Sequence, residues 1–262
     1  MGVINVTPDS FSDGGRFSDP RLAIAHGRSL RAEGADWLDV GGESTRPGAA
    51  PVAELDELRR IIPVIEALAA EGARVSVDTR KAAVARAAVA AGATLLHDVG
   101  ATLGEVAAEL GVAWAAMHVR GEPATMQDDP RYGDVVAEVL AVLVERGAAA
   151  RAAGVLEVWI DPGIGFGKTA EHNLTLLAHL DTFVASGFPV LVGTSRKGFL
   201  GRLLGTSDGL DRPTPADDRL EASVTTATWA MACGVAMVRA HDVGATVAAA
   251  RVLAPHNIED AA

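Results

Sequence analysis

Eight short apolar runs recur along the chain, each rich in Val, Ile, Leu or Ala, with longer alanine-rich helical stretches between them. The runs lie at residues 3–6, 37–40, 74–77, 94–97, 113–117, 157–160, 190–193 and 236–240. A common junction separates them, in which a helical stretch closes at a glycine and an apolar run begins within a few residues. It recurs at Gly34, Gly72, Gly92, Gly111, Gly154, Gly187 and Gly234. A glycine just past the last helical turn can take the left-handed conformation that ends a helix. Strands alternating with helices of about ten or more residues predict parallel pairing with right-handed crossovers. Eight such units favour closure into a (β/α)8 TIM barrel, with residues 1–262 as a single α/β domain. A doubly wound open sheet is the alternative. Against it, no Gly-x-Gly-x-x-Gly follows the first run, and polar residues end nearly every run rather than one switch point.

Those polar ends are Asn5, Asp39, Asp78, Asp98, His118, Asp161, Ser195 and His241. In a barrel the C-terminal ends of all strands converge on one face, so side chains distant in sequence become neighbours where a ligand would sit. Some polar ends need no such role. Asp98 and Asp242 read as caps of the helices that follow them, and His118 reads as a structural hydrogen-bonding group. Period-two alternation puts Met237, Arg239 and His241 on one face, and an inward arginine at a barrel's end requires an anion or an aromatic plane.

The connecting loops add chemistry. Residues 7–15 are dense in turn formers around Phe11, which suits a lid, and Asp19-Pro20 then starts the first helix. Residues 41–48 combine glycines and hydroxyls with Arg46, a composition suited to an anion. In Asp161-Pro162-Gly163-Ile164-Gly165-Phe166-Gly167-Lys168, the proline stops strand pairing and three glycines let backbone approach whatever Asp161 faces. Thr194-Ser195-Arg196-Lys197 places two hydroxyls and two cations at a helix start, where positive charge is unfavourable unless something negative compensates. Further helices are expected at 105–110, 132–153 and 219–233, and the Pro- and Asp-rich stretch 206–218 is expected to be mobile. Residues 219–233 carry Leu220, Val224, Ala227, Trp229, Met231 and Cys233 on more than one face, too apolar for a solvated outer helix.

Composition narrows the partners. A net charge of -11 opposes nucleic acid or anionic membrane, so small-molecule ligands held by a local cationic cluster are expected. The single cysteine, Cys233, excludes an internal disulfide or a cysteine zinc cage and fits a reducing cytoplasm. No run of about 18 apolar residues exists, and the N-terminus lacks the pattern of a signal peptide.

Five motifs occur in order: Asn5-Val6-Thr7-Pro8-Asp9-Ser10-Phe11-Ser12-Asp13-Gly14-Gly15, Gly42-Glu43-Ser44-Thr45-Arg46-Pro47-Gly48, the Asp161–Lys168 segment above, Ser195-Arg196-Lys197, and Arg239-Ala240-His241-Asp242. With these, the whole chain resembles the dihydropteroate synthase family. The resemblance implies a (β/α)8 barrel of folate biosynthesis that joins 4-aminobenzoate to the methylene carbon of a 7,8-dihydropterin diphosphate, with Mg²⁺ assisting and diphosphate leaving. It implies a pterin site of Asp78, His97, Met117, Asp161, Gly165, Phe166, Lys197 and Arg239, and a diphosphate site of Asn5, Arg46, Arg239 and His241. Asn5 resembles the magnesium-site residue. Phe11, Thr45, Pro47, Ser195 and Lys197 resemble the aminobenzoate wall, Asp9 would help hold the metal or the lid, and Asp78, Lys197 and Asp9 form the catalytic set. A homodimer through the 219–233 helix and the last helix is implied as well.

Two departures stand out. His97 occupies a position where most relatives have Asn; as a neutral imidazole it offers one donor and one acceptor, like the amide, and protonation near pH 6.5 would spoil that match. The chain also starts almost at its first strand, without the N-terminal extension of many relatives, which bears on stability rather than chemistry. A pterin-binding methyltransferase and a non-catalytic pterin-binding paralogue are the rival readings. The Ser195-Arg196-Lys197 and Thr45–Gly48 motifs oppose the first, and the retained Asn5, Asp161, Lys197 and His241 oppose the second.

Overall fold

A computed structural model of the protein describes residues 1–7, 19–44, 49–122 and 124–254. The first half runs β1 (Gly2–Asn5), α1 (Pro20–Ala32), β2 (Leu38–Gly41), α2 (Glu54–Ala70), β3 (Val75–Asp78), α3 (Ala82–Ala90), β4 (Leu95–Val99) and α4 (Gly104–Leu110). It continues through β5 (Ala113–Met117), α5 (Val135–Ala152), β6 (Val158–Asp161), α6 (Ala170–Ala178), α7 (Leu180–Val184), β7 (Leu191–Gly193), α8 (Gly198–Ser207), α9 (Leu220–Ala232), β8 (Met237–Arg239) and α10 (Val243–Leu253). All eight expected strands are present, and all seven junction glycines have positive φ, from 67° at Gly111 to 113° at Gly92.

Strands β1 to β6 pair in parallel in sequence order, and β7 pairs with β8. Two single bridges close the ring, Ile160 with Val190 and Gly2 with Ala240. The fold is therefore the closed (β/α)8 barrel rather than an open sheet. Several strands extend one residue further toward their polar ends than the apolar pattern suggests, because the ladder includes those ends: Asn5 pairs with Gly41, Gly41 with Asp78, Asp78 with His97, and Met117 with Asp161. The side chains at the barrel mouth thus stand on hydrogen-bonded backbone, which positions a site more rigidly than loops do.

The outward strand residues pack with the helices in the main core, around Val40, Val77, Leu96, Ile160 and Val192. The inward residues form a smaller cluster of Trp37, Leu95, Ala113, Ala115, Leu191 and Met237 that fills the lower barrel. Some helix starts follow side-chain caps. Asp19 accepts from Arg21 N at the start of α1, and α5 begins at Val135 rather than 132 because Asp134 caps it through Val136 N and Ala137 N.

The stretch 206–218 departs from expectation. Its first two residues finish α8, Ala216–Asp218 form a 3-10 turn, and Thr214 is buried. Gly201 leaves room for the Arg219 guanidinium, which donates to Thr214 O, while Thr214 N donates to Gly201 O. These bonds anchor the segment against α8.

Candidate active site

Along the inner face of the strands, alternate residues change from apolar to charged toward the C-terminal ends: Trp37 then Asp39, Leu95 then His97, Trp159 then Asp161, Met237 then Arg239. Above them opens a cavity of about 1080 Å³ lined by Asn5, Asp78, His97, Met117, Asp161, Gly165, Phe166, Ser195, Lys197, Arg239 and His241, among others. The structure thus brings together at one mouth every candidate residue that it describes.

A buried ion cluster forms the floor. Arg239 Nε donates to Asp39 Oδ2 at 2.6 Å, and its Nη2 donates to Asp78 Oδ2 at 3.0 Å. His97 Nδ1 lies 3.1 Å from the same Asp39 oxygen, and Nε2 lies 3.6 Å from Asp161 Oδ2. Burial disfavours the Asp39 carboxylate, but Arg239 and His97 outweigh it and hold the group well below the usual carboxylate range. Asp78 responds oppositely: burial raises it to about 6, with Arg239 opposing and Asp39 reinforcing. Asp161 Oδ1 accepts from Gly163 N at 2.7 Å, which turns the carboxylate to the glycine loop.

His97 is not the neutral amide substitute that its residue type suggests. Burial disfavours its charge, yet Asp39 and the nearby Asp161 carboxylate raise it to about 10, so the ring is an imidazolium with two donors and no acceptor. Pterin affinity measured from about pH 5.5 to 8 should therefore give parallel curves for the wild type and His97→Asn, because the ring does not titrate there. A steeper fall on the acid side for the wild type alone would contradict this assignment. The linked stability has a definite sign: a folded value of about 10 above the ordinary 6.5 makes the contribution complete below pH 6.5 and lost as pH rises through 10.

Lys197 reaches the glycine segment from the neighbouring end of β7. Its Nζ donates to Ile164 O and sits 4.7 Å from the Phe166 ring centroid. Burial lowers its pKa to about 8, with Asp161 opposing. Ser195 Oγ accepts from His241 N at 3.1 Å and lies 3.0 Å from His241 Nδ1.

The structural reading of His118 agrees with its contacts, but Asp98 does not cap α4, whose cap position is Leu103 without a side-chain bond. Asp98 Oδ2 accepts from Thr102 N, Leu103 N and Trp114 Nε1, and His118 is buried against Lys168. Asp242 holds the cap position of α10 but makes no side-chain cap bond. Its carboxylate is drawn instead to Arg196, at 3.0 Å from Nε and 2.6 Å from Nη2. Asp39 and Lys168 carry more of the site than the sequence indicated: the first anchors Arg239 and His97, and the second is buried beneath the glycine loop. A carboxylate ending an apolar run was the visible signal for Asp39. Asp9, Phe11, Thr45, Arg46 and Pro47 lie outside the described residues.

Asp39, Asp78 and His97 place ligand atoms within 4.8 Å of one another, a spacing a metal could use. Arg239 already bridges the two carboxylates, so these residues form a salt-bridge cluster in this structure.

The chain matches the family of pterin binding enzymes over residues 1–241. It is 49% identical over 261 residues to dihydropteroate synthase of Mycobacterium leprae (strain TN), across 97% of this chain and 91% of that protein. The fold superposes with a TM-score of 0.91 on a Yersinia pestis dihydropteroate synthase solved with a sulfonamide drug, at 40% identity, covering 100% of this chain and 94% of that one. A Xanthomonas albilineans dihydropteroate synthase in complex with 7,8-dihydropteroate gives a TM-score of 0.83 at 45% identity, covering 96% and 90%. No helix among the described residues is long and apolar enough to cross a membrane. Similarity in sequence and in fold thus runs the length of the barrel, and the chain belongs to the dihydropteroate synthase family of pterin-binding enzymes, transferases of folate biosynthesis.

Proposed function

We propose that this cavity joins 4-aminobenzoate to 7,8-dihydropterin-6-ylmethyl diphosphate, forming 7,8-dihydropteroate and releasing diphosphate. The observation that carries the reading is the set of unmatched polar atoms at the barrel mouth. Asp78 Oδ1 and His97 Nε2 are buried without hydrogen-bond partners, beside Asp161 and Lys197. Buried polar groups are normally paired, so orphaned acceptor and donor atoms here fit a flat amino-pyrimidinone that offers both N–H groups and acceptors along its edge. The complex of the Xanthomonas enzyme with 7,8-dihydropteroate supports the same product.

In this reading Asp161 and Asp78 accept from the pterin amino and ring N–H groups, while Lys197 and the His97 imidazolium donate to its carbonyl and ring nitrogen. Met117, Gly165 and Phe166 bound the pterin, and Arg239 lies against its face. Arg239, His241, Asn5 and Arg46 hold the diphosphate. Ser195, the stem of Lys197, Phe11, Thr45 and Pro47 wall the aminobenzoate, and Asp9 helps order the loop that covers it. The C–O bond to diphosphate breaks with its electron pair leaving on oxygen, and positive charge develops on the methylene carbon. Cations close to the leaving oxygens stabilise that separation, and ordered loops keep water from the carbon. The arylamine nitrogen then bonds to the methylene carbon and loses a proton. No protein nucleophile is needed.

Magnesium prefers hard oxygen ligands and keeps much of its shell as water and phosphate. The Asn5 side chain lines the cavity and makes no hydrogen bond among the described residues, so its amide oxygen fits such an ion beside the diphosphate. Bound there, Mg²⁺ would supply charge stabilisation to the leaving group. A cytoplasmic location goes with this reading.

Incubation with the pterin diphosphate, Mg²⁺ and 4-aminobenzoate should yield 7,8-dihydropteroate by mass spectrometry. Tight pterin binding without product would favour a pterin-binding paralogue instead.

We also propose a homodimer through α9 and α10, which pack together. Trp229 is 51% exposed and Val252 is 78% exposed, with Leu220 and Leu253 also exposed on these helices. A partner would bury this surface. Sedimentation at micromolar concentration should give twice the chain mass, and Trp229→Glu should shift it toward monomer; a wild-type monomer would reject the interface.

A further inference from the structure

Lys168 is the largest polar side chain hidden in the barrel, at 1% exposure, and the chemistry proposed above makes no use of it. It ends the glycine-rich segment, directly before the Thr169 cap of α6, and its side chain folds back beneath that segment. Its Nζ lies 3.0 Å from Gly163 O, 3.0 Å from Phe166 O and 3.0 Å from His118 Nδ1, with His118 O at 3.4 Å. Three close acceptors from two loops match the three N–H groups of an ammonium. Burial holds the His118 ring neutral, lowering it to about 3 with help from the charges of Lys168 and Arg120, so Nδ1 is free to accept. Desolvation pulls the Lys168 pKa well down, and only the charge of Asp161 opposes it. Such a buried ammonium is costly unless its acceptors repay it, and an apolar residue in its place would orphan them.

The seam it fills is tight. A Cβ at Gly163 would sit 1.8 Å from His118 O, and one at Gly167 would sit 2.2 Å from Arg120 O, so at both points the glycine segment lies directly against the backbone following β5. The same segment also meets the cavity. Gly165 and Phe166 line the cavity, Ile164 O takes the Lys197 bond, and Gly163 N holds Asp161. The carbonyls of Gly163 and Phe166 turn inward to Lys168, whereas that of Ile164 turns to Lys197.

We infer that Lys168 is a positioning residue that sets pterin affinity: its contacts with Gly163, Phe166 and His118 hold the glycine segment in the conformation that presents Asp161, Phe166 and Lys197 to the ligand. The inference rests on the pterin-site reading above, and it assigns Lys168 no contact with substrate. Loosening the clamp should disturb the pterin half of the cavity most, since in the reading above aminobenzoate shares only the Lys197 stem with it.

Steady-state kinetics on Lys168→Met tests it. The expected result is a KM for the pterin diphosphate raised about 10-fold or more, with KM for 4-aminobenzoate unchanged within about twofold. Leu143→Ala, a core deletion in α5, serves as the control: it should lower thermal stability without moving the pterin KM. Should Lys168→Met fail to fold, His118→Leu removes one acceptor and leaves both loop carbonyls to the ammonium; a smaller rise, confined to the pterin KM, is then expected. Unchanged pterin KM in a folded Lys168→Met, or in His118→Leu when that variant alone folds, overturns the inference. So does an equal rise in both Michaelis constants. Failure of the pterin-site reading itself would appear separately, as a wild-type protein that makes no dihydropteroate.

Discussion

Asp161→Asn should reduce pterin affinity by about 10- to 100-fold, the equivalent of losing one charge-assisted hydrogen bond of roughly 1.5–3 kcal/mol. The carboxylate is buried, with one oxygen occupied by Gly163 N and the other 3.6 Å from His97 Nε2. An amide at this position has one acceptor oxygen in place of two. Either Gly163 N or the ligand's N–H then faces an NH₂ group, which is a donor meeting a donor. The His97 imidazolium also loses a counter-charge. Calorimetry with a non-reactive pterin analogue measures the effect, and affinity unchanged within about twofold would remove Asp161 from the pterin site.

Arg239→Met should have the largest effect on stability, about 3–5 kcal/mol, because it leaves two buried carboxylates without their cation. Asp39 is fully buried and Asp78 nearly so, and both bond to this guanidinium. The His97 ring remains beside Asp39 but cannot also neutralise Asp78, whose carboxyl burial already raises to about 6. Urea denaturation near neutral pH gives the loss. The double substitution Arg239→Met with Asp39→Asn should recover part of it, since the amide needs no counter-charge. A loss below about 1 kcal/mol would show that the cluster is solvated and weakly coupled.

The barrel was legible because its rules are local. Each of the seven junction glycines needs only its own helix end to require a left-handed turn, and the alternation in Met237, Arg239 and His241 needs only strand geometry. The residues that converge were legible for the same reason, since each stands at the end of an apolar run. What they do to one another was not. The charge of His97 depends on Asp39, 58 residues away in sequence, and the role of Lys168 depends on His118, 50 residues away. Residue type alone suggests a neutral imidazole in the first case and a surface cation in the second. The stretch 206–218 misleads in a related way: its proline and aspartate content reads as mobile, but Arg219 reaches back to hold Thr214 O. Asp242 holds the helix start expected of it, yet its carboxylate goes to Arg196 at the neighbouring end of β7.

The central claim is that one cavity couples loss of diphosphate to capture of the arylamine. Diphosphate release from the pterin substrate, measured with and without 4-aminobenzoate in the presence of Mg²⁺, tests it most directly. The expected result is release that depends on 4-aminobenzoate and matches dihydropteroate formed in a ratio of about one to one, with only slow release in its absence. Release at the same rate with and without 4-aminobenzoate, or no release at all from a protein that binds the pterin, would contradict it.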